Sequence, residues 1–200
     1  GLGDGFFVSV DGNTIRFTNS LYDAVNGDPA TIDAIDIDNS TATGTAHGVA
    51  VGNGFGFDAQ VDVNSTDNAI TVTGHTFSDG DAVAYSAEGT TTLAGVDEFT
   101  TLYVGGISGD DVKLYADAAM STLVTLTAAT ETRGQTLRKV ILFAAATAVD
   151  NDDNTIDLGA GHGLGDGDEV FYVNASADNN LDKRDSAAIE DGAEFFLIVD

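Results

Sequence analysis

The most informative part of the sequence is HGLGDGDEVFY, which runs from His162 to Tyr172. It holds a histidine, two aspartates and a glutamate around a Gly-Asp-Gly sequence, so it is either a reactive cluster or a turn between two strands. Similar stretches occur twice more, as HTFSDGDAVAY at His75–Tyr85 and as HGVAVGNGFGF at His47–Phe57. A gapless alignment puts all three histidines of the chain at one position. Because a catalytic or metal site is a single constellation, the recurrence favours a structural turn.

The spacing of these stretches predicts an internal repeat. His75 and His162 are 162 − 75 = 87 residues apart, and Phe57 and Phe143, in similar surroundings, are 143 − 57 = 86 residues apart. Self-similarity at such a period is typical of chains built from stacked structural units. We therefore predict the C-terminal part of a repeat unit at 1–62, a complete unit at 63–149 and the N-terminal part of a further unit at 150–200.

Shorter blocks recur around the histidine stretches. LYV at Leu102–Val104 parallels FFV at Phe6–Val8 and FFL at Phe195–Leu197. DVKLYADAA at 111–119 parallels NTIRFTNSLYDAV at 13–25. Each block is rich in β-branched or aromatic residues, which favour strands, so the same strands are expected in each unit.

The local pattern predicts an all-β fold. Apolar runs such as AVAYSA, TLYVGGI and KVILFAA alternate with Asp-Gly, Asn-Gly and Gly-Asp pairs, which mark tight turns. The 24 glycines and the single proline suit many such turns. We predict short antiparallel strands that form small β-barrels or β-sandwiches in tandem, one for each repeat of about 87 residues. One short helical turn is expected at 20–27, and another at 115–122.

Composition restricts the class of protein and its partners. Hydrophobic residues make up 42% of the chain, enough to bury a core, whereas 33 acidic and 7 basic residues give a net charge of −26. Such a chain repels itself at low ionic strength and suits high salt or bound divalent cations. No nucleic-acid partner is expected, because no basic stripe exists to displace counterions. No apolar run reaches 18 residues, which predicts no membrane span, and the absence of cysteine excludes disulfides and thiolate sites.

These blocks together resemble a repeat of very large secreted bacterial surface proteins and adhesins, which also occurs in phage tail-fibre proteins. Its consensus is H-G-[LF]-x-x-G-D-x-V-x-[YF], then a Y-Y-V strand, then N-T-I-[KR]-[LF]. The matching residues are His162, Gly163, Leu164, Gly167, Asp168, Val170 and Tyr172 in the first block and Asn13, Thr14, Ile15, Arg16 and Phe17 in the last. The resemblance implies β-rich modules in tandem that act as spacers or display modules outside the cell, without catalysis.

Aspartate clusters are the candidate metal ligands. Ca²⁺ takes six to eight oxygen ligands, and these often converge in turns. The candidate ligands for Ca²⁺ are Asp79, Asp81, Asp166, Asp168, Asp150, Asp152 and Asp153. The alternative is structural, because an aspartate in a glycine-rich turn accepts hydrogen bonds from backbone N–H groups. No other cofactor is expected.

No catalytic residue is predicted. A zinc site needs three or four convergent ligands, and a catalytic triad needs one unique constellation, whereas the three histidines lie in separate copies of one motif. With 33 acidic residues, close carboxylate pairs arise by chance and do not indicate a glycosidase. Three glycosylation sequons occur, at Asn39, Asn64 and Asn174.

The function expected from these patterns is structural. The chain is interpreted as a repeat module of a very large acidic extracellular protein, in a surface layer, an adhesin stalk or a filament, which associates with neighbouring repeats or with copies of itself. An alternative is a ligand-binding module of an adhesin or phage tail fibre that recognises surface carbohydrate. A third hypothesis, an enzyme acting on polysaccharide, requires a unique carboxylate pair.

Overall fold

The structure is a computed structural model that describes residues 6–18, 37–38, 46–51, 54–87, 91–130, 134–152, 155–164, 169–174, 182–183 and 194–197. Over these residues the protein is nearly all β, which confirms the predicted fold class. The strands are β1 (Phe6–Asp11), β2 (Thr14–Thr18), β3 (Ile37–Asp38), β4 (His47–Val51), β5 (Phe55–Asp58), β6 (Val63–Asn64), β7 (Ala69–Thr71), β8 (Ala82–Ser86), β9 (Thr101–Ser108), β10 (Asp111–Tyr115), β11 (Gly134–Phe143), β12 (Val149–Asp150), β13 (Thr155–Asp157), β14 (Glu169–Asn174), β15 (Asp182–Lys183) and β16 (Glu194–Leu197). The described residues also include one short helix, α1, which spans Ala145–Ala148. Within the described part of the chain, no helix combines the length and apolar character needed to cross a bilayer.

The chain forms two compact units. Unit 1 combines Gly1–Gly52 with Ile141–Asp200, and unit 2 is the continuous segment Asn53–Val140. Unit 2 is therefore an insertion between the two segments of unit 1. The observed unit at 53–140 is defined by contacts, whereas the predicted repeat at 63–149 is defined by recurring residues. The two need not coincide, and the repeat boundaries stay a prediction.

Unit 2 is built around β9. The strands follow the order β6-β7-β10-β9-β8-β11, and β5 also pairs with β11. The pairings are antiparallel, with β9 contacting β8 through Thr101–Tyr103 and β10 through Tyr103–Ser108. This path is open among the described strands, and the barrel alternative of the prediction is not formed there.

Unit 1 follows the same order, with one strand position filled twice. Its strands run β12-β13-β2-β1-β16-β14-β4, while β15 and β3 form a separate antiparallel pair. The strand β16 pairs with β14 as β9 pairs with β8, and β1 pairs with β2 as β9 pairs with β10. The two strands β1 and β16 lie beside each other in parallel, with Phe6 opposite Phe195 and Val8 opposite Leu197. The other pairings described in unit 1 are antiparallel.

Each unit has its own hydrophobic core, and the two cores use equivalent positions. All nine buried members of the core of unit 1 have a counterpart in the core of unit 2, either on the corresponding strand or in the segment next to it. With unit 1 named first, the pairs are Ile15 and Val112, Val49 and Leu137, Phe143 and Phe57, Ala145 and Ala59, Val149 and Val63, Ile156 and Ile70, Leu164 and Phe77, Val170 and Val83, and Tyr172 and Tyr85. Burial of each large aliphatic side chain stabilises its unit by about 1.5–3 kcal/mol.

Candidate functional site

The histidine turns of the two units have the same hydrogen bond. The imidazole Nδ1 of His75 accepts the backbone N–H of Phe77 at 3.1 Å, and Nδ1 of His162 accepts the N–H of Leu164 at 3.2 Å. A ring nitrogen that accepts a hydrogen bond carries no proton, so the neutral ring has its proton on Nε2. In His162 that Nε2 donates to the carbonyl of Gly12 at 3.1 Å. Each histidine thus closes its own turn, and His162 also joins that turn to the loop at Gly12.

The third histidine has a different place, so the gapless alignment of all three is wrong. His47 is fully buried in β4, where its Nδ1 lies 2.7 Å from the hydroxyl of Tyr172 on β14. Its ring also packs against Phe143, with ring centroids 5.9 Å apart. The alignment failed because the glycine-rich sequence after His47 resembles the histidine turns, although the histidine itself belongs to a strand.

The residue of unit 2 that corresponds to His47 is Gln135. Register decides this: Val49 lies opposite Tyr172, and Leu137 lies opposite Tyr85, so the residues two places earlier are equivalent. The hydroxyl of Tyr85 donates to Oε1 of Gln135, just as the hydroxyl of Tyr172 contacts His47.

The sequence patterns do not single out these two buried tyrosines, whose hydroxyl groups hold parts of the structure together. The hydroxyl of Tyr85 also accepts the backbone N–H of Leu93 at 2.6 Å, and Nε2 of Gln135 donates to the carbonyl of Thr91 at 3.1 Å. The network therefore fixes the loop before β9 to the sheet. The available signal was the last position of the histidine stretch, where Tyr supplies a hydroxyl that Phe lacks and that needs a partner when buried.

Two of the predicted metal ligands act in a turn of unit 2. Oδ2 of Asp81 accepts the N–H of Ser78 at 2.9 Å and forms an ion pair with Nζ of Lys139 at 2.9 Å. Oδ1 of Asp79 accepts the N–H of Ile107 at 3.3 Å. These hydrogen bonds match the structural role that was the alternative to metal binding, in which aspartate carboxylates accept hydrogen bonds from N–H groups of the turn.

The remaining predicted ligands belong to unit 1. Asp150 and Asp152 are exposed beside a groove of about 570 Å³, and Oδ1 of Asp150 accepts the N–H of Asp152 at 2.9 Å. Asp153, Asp166 and Asp168 lie outside the described residues. Among the residues that are described, no group of three or more histidine or carboxylate side chains is placed to hold a metal ion. Calcium binding at the seven aspartates stays a prediction.

Asp117 shows the same structural use of a carboxylate. It accepts hydrogen bonds from the N–H of Ser121 at 3.2 Å and from the N–H of Thr122 at 2.8 Å. The hydrogen bond from the backbone of Ser121, followed by those from Thr122 and the Ser121 hydroxyl, lowers the pKa of the Asp117 carboxyl, although desolvation opposes them.

The helical turn predicted at 115–122 is wrong, because these bonds hold an irregular turn; the one at 20–27 lies outside the described residues.

The sequons lie in different settings. Asn64 is exposed at the end of β6, where its Oδ1 accepts the N–H of Thr66 at 3.0 Å and its Nδ2 donates to Asp67 at 2.9 Å. Asn174 ends β14, and Asn39 lies outside the described residues. Glycosylation at these positions stays a prediction.

The polar groups described above have a shared role. Histidine side chains close equivalent turns of the two units, and in each unit a buried tyrosine hydroxyl contacts a polar side chain of the neighbouring strand. Such contacts position backbone and do not by themselves assemble a nucleophile, a base and an oxyanion donor around one reacting atom. Comparison of the chain with protein-family models, curated proteins and solved structures found no match.

Proposed function

We propose that the chain is a structural repeat module of a very large acidic extracellular protein, in a surface layer, an adhesin stalk or a filament. It spaces and assembles rather than catalyses, and its partners are neighbouring repeats or further copies of itself. The observation that carries this proposal is the order of strands, which is the same in units 1 and 2. Modules that recur within one chain are typical of repeat proteins, which stack such modules into elongated structures.

Register supports the view that the two units are copies of one repeat. Val83 and Val170, each buried, are 170 − 83 = 87 residues apart, and Ile70 and Ile156 are 156 − 70 = 86 apart. Each valine lies on the same strand as the buried tyrosine, two residues before it. Each isoleucine pairs with the outermost strand of its path. A repeat of about 87 residues accounts for all of these spacings.

The charge of the chain suits a module that must stay extended. A net charge of −26 produces repulsion between neighbouring molecules, which screening by salt reduces. Strand edges otherwise invite lateral pairing, and charged side chains are one way in which β proteins prevent it. We therefore propose a surface-exposed module in which end-to-end continuity is kept and sideways aggregation is suppressed.

Carbohydrate recognition has no specific observation in its favour. The groove of unit 1 is lined by threonine, alanine, valine, asparagine and aspartate, and none of these described lining residues is aromatic. Ligand sites commonly combine apolar or aromatic walls with a few polar groups. The structural proposal is therefore the one to be tested.

The test uses concatemers of the full chain. One, two and three copies are joined in single polypeptides, and their maximum dimensions are measured by small-angle X-ray scattering at high salt. A spacer is expected to lengthen by a constant increment with each copy. Concatemers that collapse into compact particles, or a single chain that turns over polysaccharide, would contradict the proposal.

A further inference from the structure

The path by which the chain enters and leaves unit 1 has mechanical consequences. Along the chain, β1 is the first described strand of unit 1 and β16 is the last. They lie side by side in parallel, with Phe6, Phe7 and Val8 opposite Phe195, Phe196 and Leu197. Tension applied at the two ends of this chain therefore reaches the described strands of unit 1 first through β1 and β16.

Tension loads this parallel pair in shear. A pull on the chain before Phe6 draws β1 backwards along its axis, and a pull beyond Leu197 draws β16 forwards along nearly the same axis. In a parallel pair these forces are opposed and run along the strands, across the direction of the interstrand hydrogen bonds. The bonds of the ladder must then yield together. The strand β1 is further held by five register pairs to β2.

Unit 2 is loaded in the opposite way. The chain enters it beside β5 and leaves it along β11, and these strands are antiparallel, with Phe55 opposite Leu137 and Asp58 opposite Gly134. The entering and leaving chains are therefore at the same end of the pair. Tension at that end pulls along the hydrogen-bond direction, so that the bonds open one after another from Phe55 onwards.

Connectivity decides which unit feels the tension. Unit 2 is inserted between Gly52 and Ile141, and both of those residues belong to unit 1. While β1 and β16 remain paired, tension passes directly from one to the other and bypasses everything between them. Unit 2 carries no load until unit 1 has opened.

We propose that β1 and β16 form a shear clamp through which the chain bears tension, and that unit 2 is a shielded reserve that extends only after the clamp fails. The inference rests on the proposed structural function and adds a mechanism to it. In this mechanism, unit 1 sets the force at which the chain begins to unfold. Unit 2 then supplies the additional length that is released above that force.

The test is force spectroscopy of the full chain in two attachment geometries. In the first, handles are attached to the two ends of the chain, which loads β1 and β16 in shear. In the second, the carboxyl-terminal handle is unchanged and the other is attached at Asn13→Cys, in the exposed turn after β1. Because the chain has no cysteine, this attachment is unique. Moving the handle to that end of β1 converts shear into unzipping in an otherwise matched protein.

The expected result has two parts. At one fixed force, the folded state is expected to last at least about tenfold longer in the shear geometry, since forced unfolding follows the unfolding rate. With handles at the ends, unit 1 opens first and releases about 350 Å, and unit 2 follows with about 300 Å, at 3.3–3.6 Å per residue. The variant Ile70→Ala, which weakens the core of unit 2, identifies the second step and leaves the order unchanged.

Two outcomes overturn the clamp. One is an equal lifetime in the two geometries, and the other is opening of unit 2 before unit 1 when the ends are pulled. The equilibrium unfolding curve of Asn13→Cys, expected to match that of the unmodified chain, shows that the attachment itself is neutral. Concatemers that lengthen by constant increments while the lifetimes are equal would leave a spacer without a clamp. Collapsed concatemers with unequal lifetimes would refute the spacer alone.

Discussion

Units 1 and 2 place their strands in the same order but receive them from the chain differently. Unit 2 takes all of its strands from one continuous segment, whereas unit 1 assembles them from two segments separated by unit 2. In unit 2, the single strand β9 pairs with both β8 and β10. In unit 1, two strands fill that position, with β1 paired to β2 and β16 paired to β14. The strand order therefore depends on the pattern within each strand and tolerates different connections between strands.

The buried tyrosine hydroxyls also have different partners in the two units. Each unit buries a tyrosine hydroxyl against a polar side chain of the neighbouring strand, but this side chain is His47 in unit 1 and Gln135 in unit 2. The requirement at this position is a hydrogen-bond partner for a buried hydroxyl, and either side chain meets it.

Substitutions in the two cores are expected to change the free energy of unfolding most, and they test whether the cores are independent. Ile70→Ala and Ile156→Ala each remove a side chain that is fully buried at the equivalent position, and each is expected to lower the free energy of unfolding of its own unit by about 2–5 kcal/mol through the cavity left behind. Hydrogen exchange measured on peptides from the two units separates the effects. Loss of protection in both units after either substitution would contradict independent cores.

The tyrosine contacts are expected to differ in strength between the units. Tyr85→Phe removes a partner from both Gln135 and the N–H of Leu93, and we expect a loss of about 2–4 kcal/mol, against about 1–3 kcal/mol for Tyr172→Phe. Urea unfolding of both variants measures the difference. Tyr115→Phe is the control, since the Tyr115 hydroxyl has no hydrogen-bond partner among the described residues. Equal losses for Tyr85→Phe and Tyr115→Phe would show that the network adds no stability.

A smaller effect concerns salt and should appear in unit 2 alone. Lys139 lies opposite Val83 and forms the ion pair with Asp81, whereas Val51 lies at the corresponding position, opposite Val170, in unit 1. Lys139→Met is expected to lower stability by about 0.2–1 kcal/mol at low salt, because partly exposed ion pairs are weak. Unfolding of the variant and of the unmodified chain at low and high salt measures this. A difference that persists unchanged at high salt would exclude the ion pair as its cause.

The smallest effect is a dependence on pH. Because the pKa of Asp117 is lower in the folded protein than its ordinary value of 3.8, the ionised carboxylate stabilises unit 2 above that pH, and this contribution is lost as the pH falls through the lower folded value. Asp117→Asn removes the contribution, so the variant should lose less stability on acidification than the unmodified chain. Melting temperatures measured from neutral pH to below 3.8 provide the comparison. Parallel curves for the two proteins would contradict it.

Local features of the structure could be predicted from the sequence. Alternating apolar residues and Gly-Asp pairs predict strands and turns because side chains on a strand face opposite sides in turn, and glycine supplies the backbone conformation that a tight turn requires. Gly74 and Gly161, with φ of +74° and +79°, precede the histidine turns in this role. The recurrence of His75 and His162 also indicated the turn that both of them hold.

Long-range features could not be predicted in this way. The parallel register of β1 with β16 joins residues from opposite ends of the printed sequence, and no local pattern specifies which strand another will meet. The position of His47 was misassigned for the same reason, since its surroundings depend on Tyr172 and Phe143, far away in the sequence. Gln135 was missed because a single glutamine in a strand gives no indication that it will be buried beside a hydroxyl.

The insertion of unit 2 into unit 1 also predicts the order in which the protein folds. The contact between His47 and Tyr172 spans 125 residues, and that between Gly12 and His162 spans 150, so unit 1 must close long loops before its core forms. Topology of this kind slows folding, whereas unit 2 can fold once its own residues have been synthesised. Folded unit 2 holds Phe55 beside Leu137 and thereby shortens the loop that unit 1 has to close. We therefore expect the folded inner unit to accelerate folding of the outer unit during synthesis.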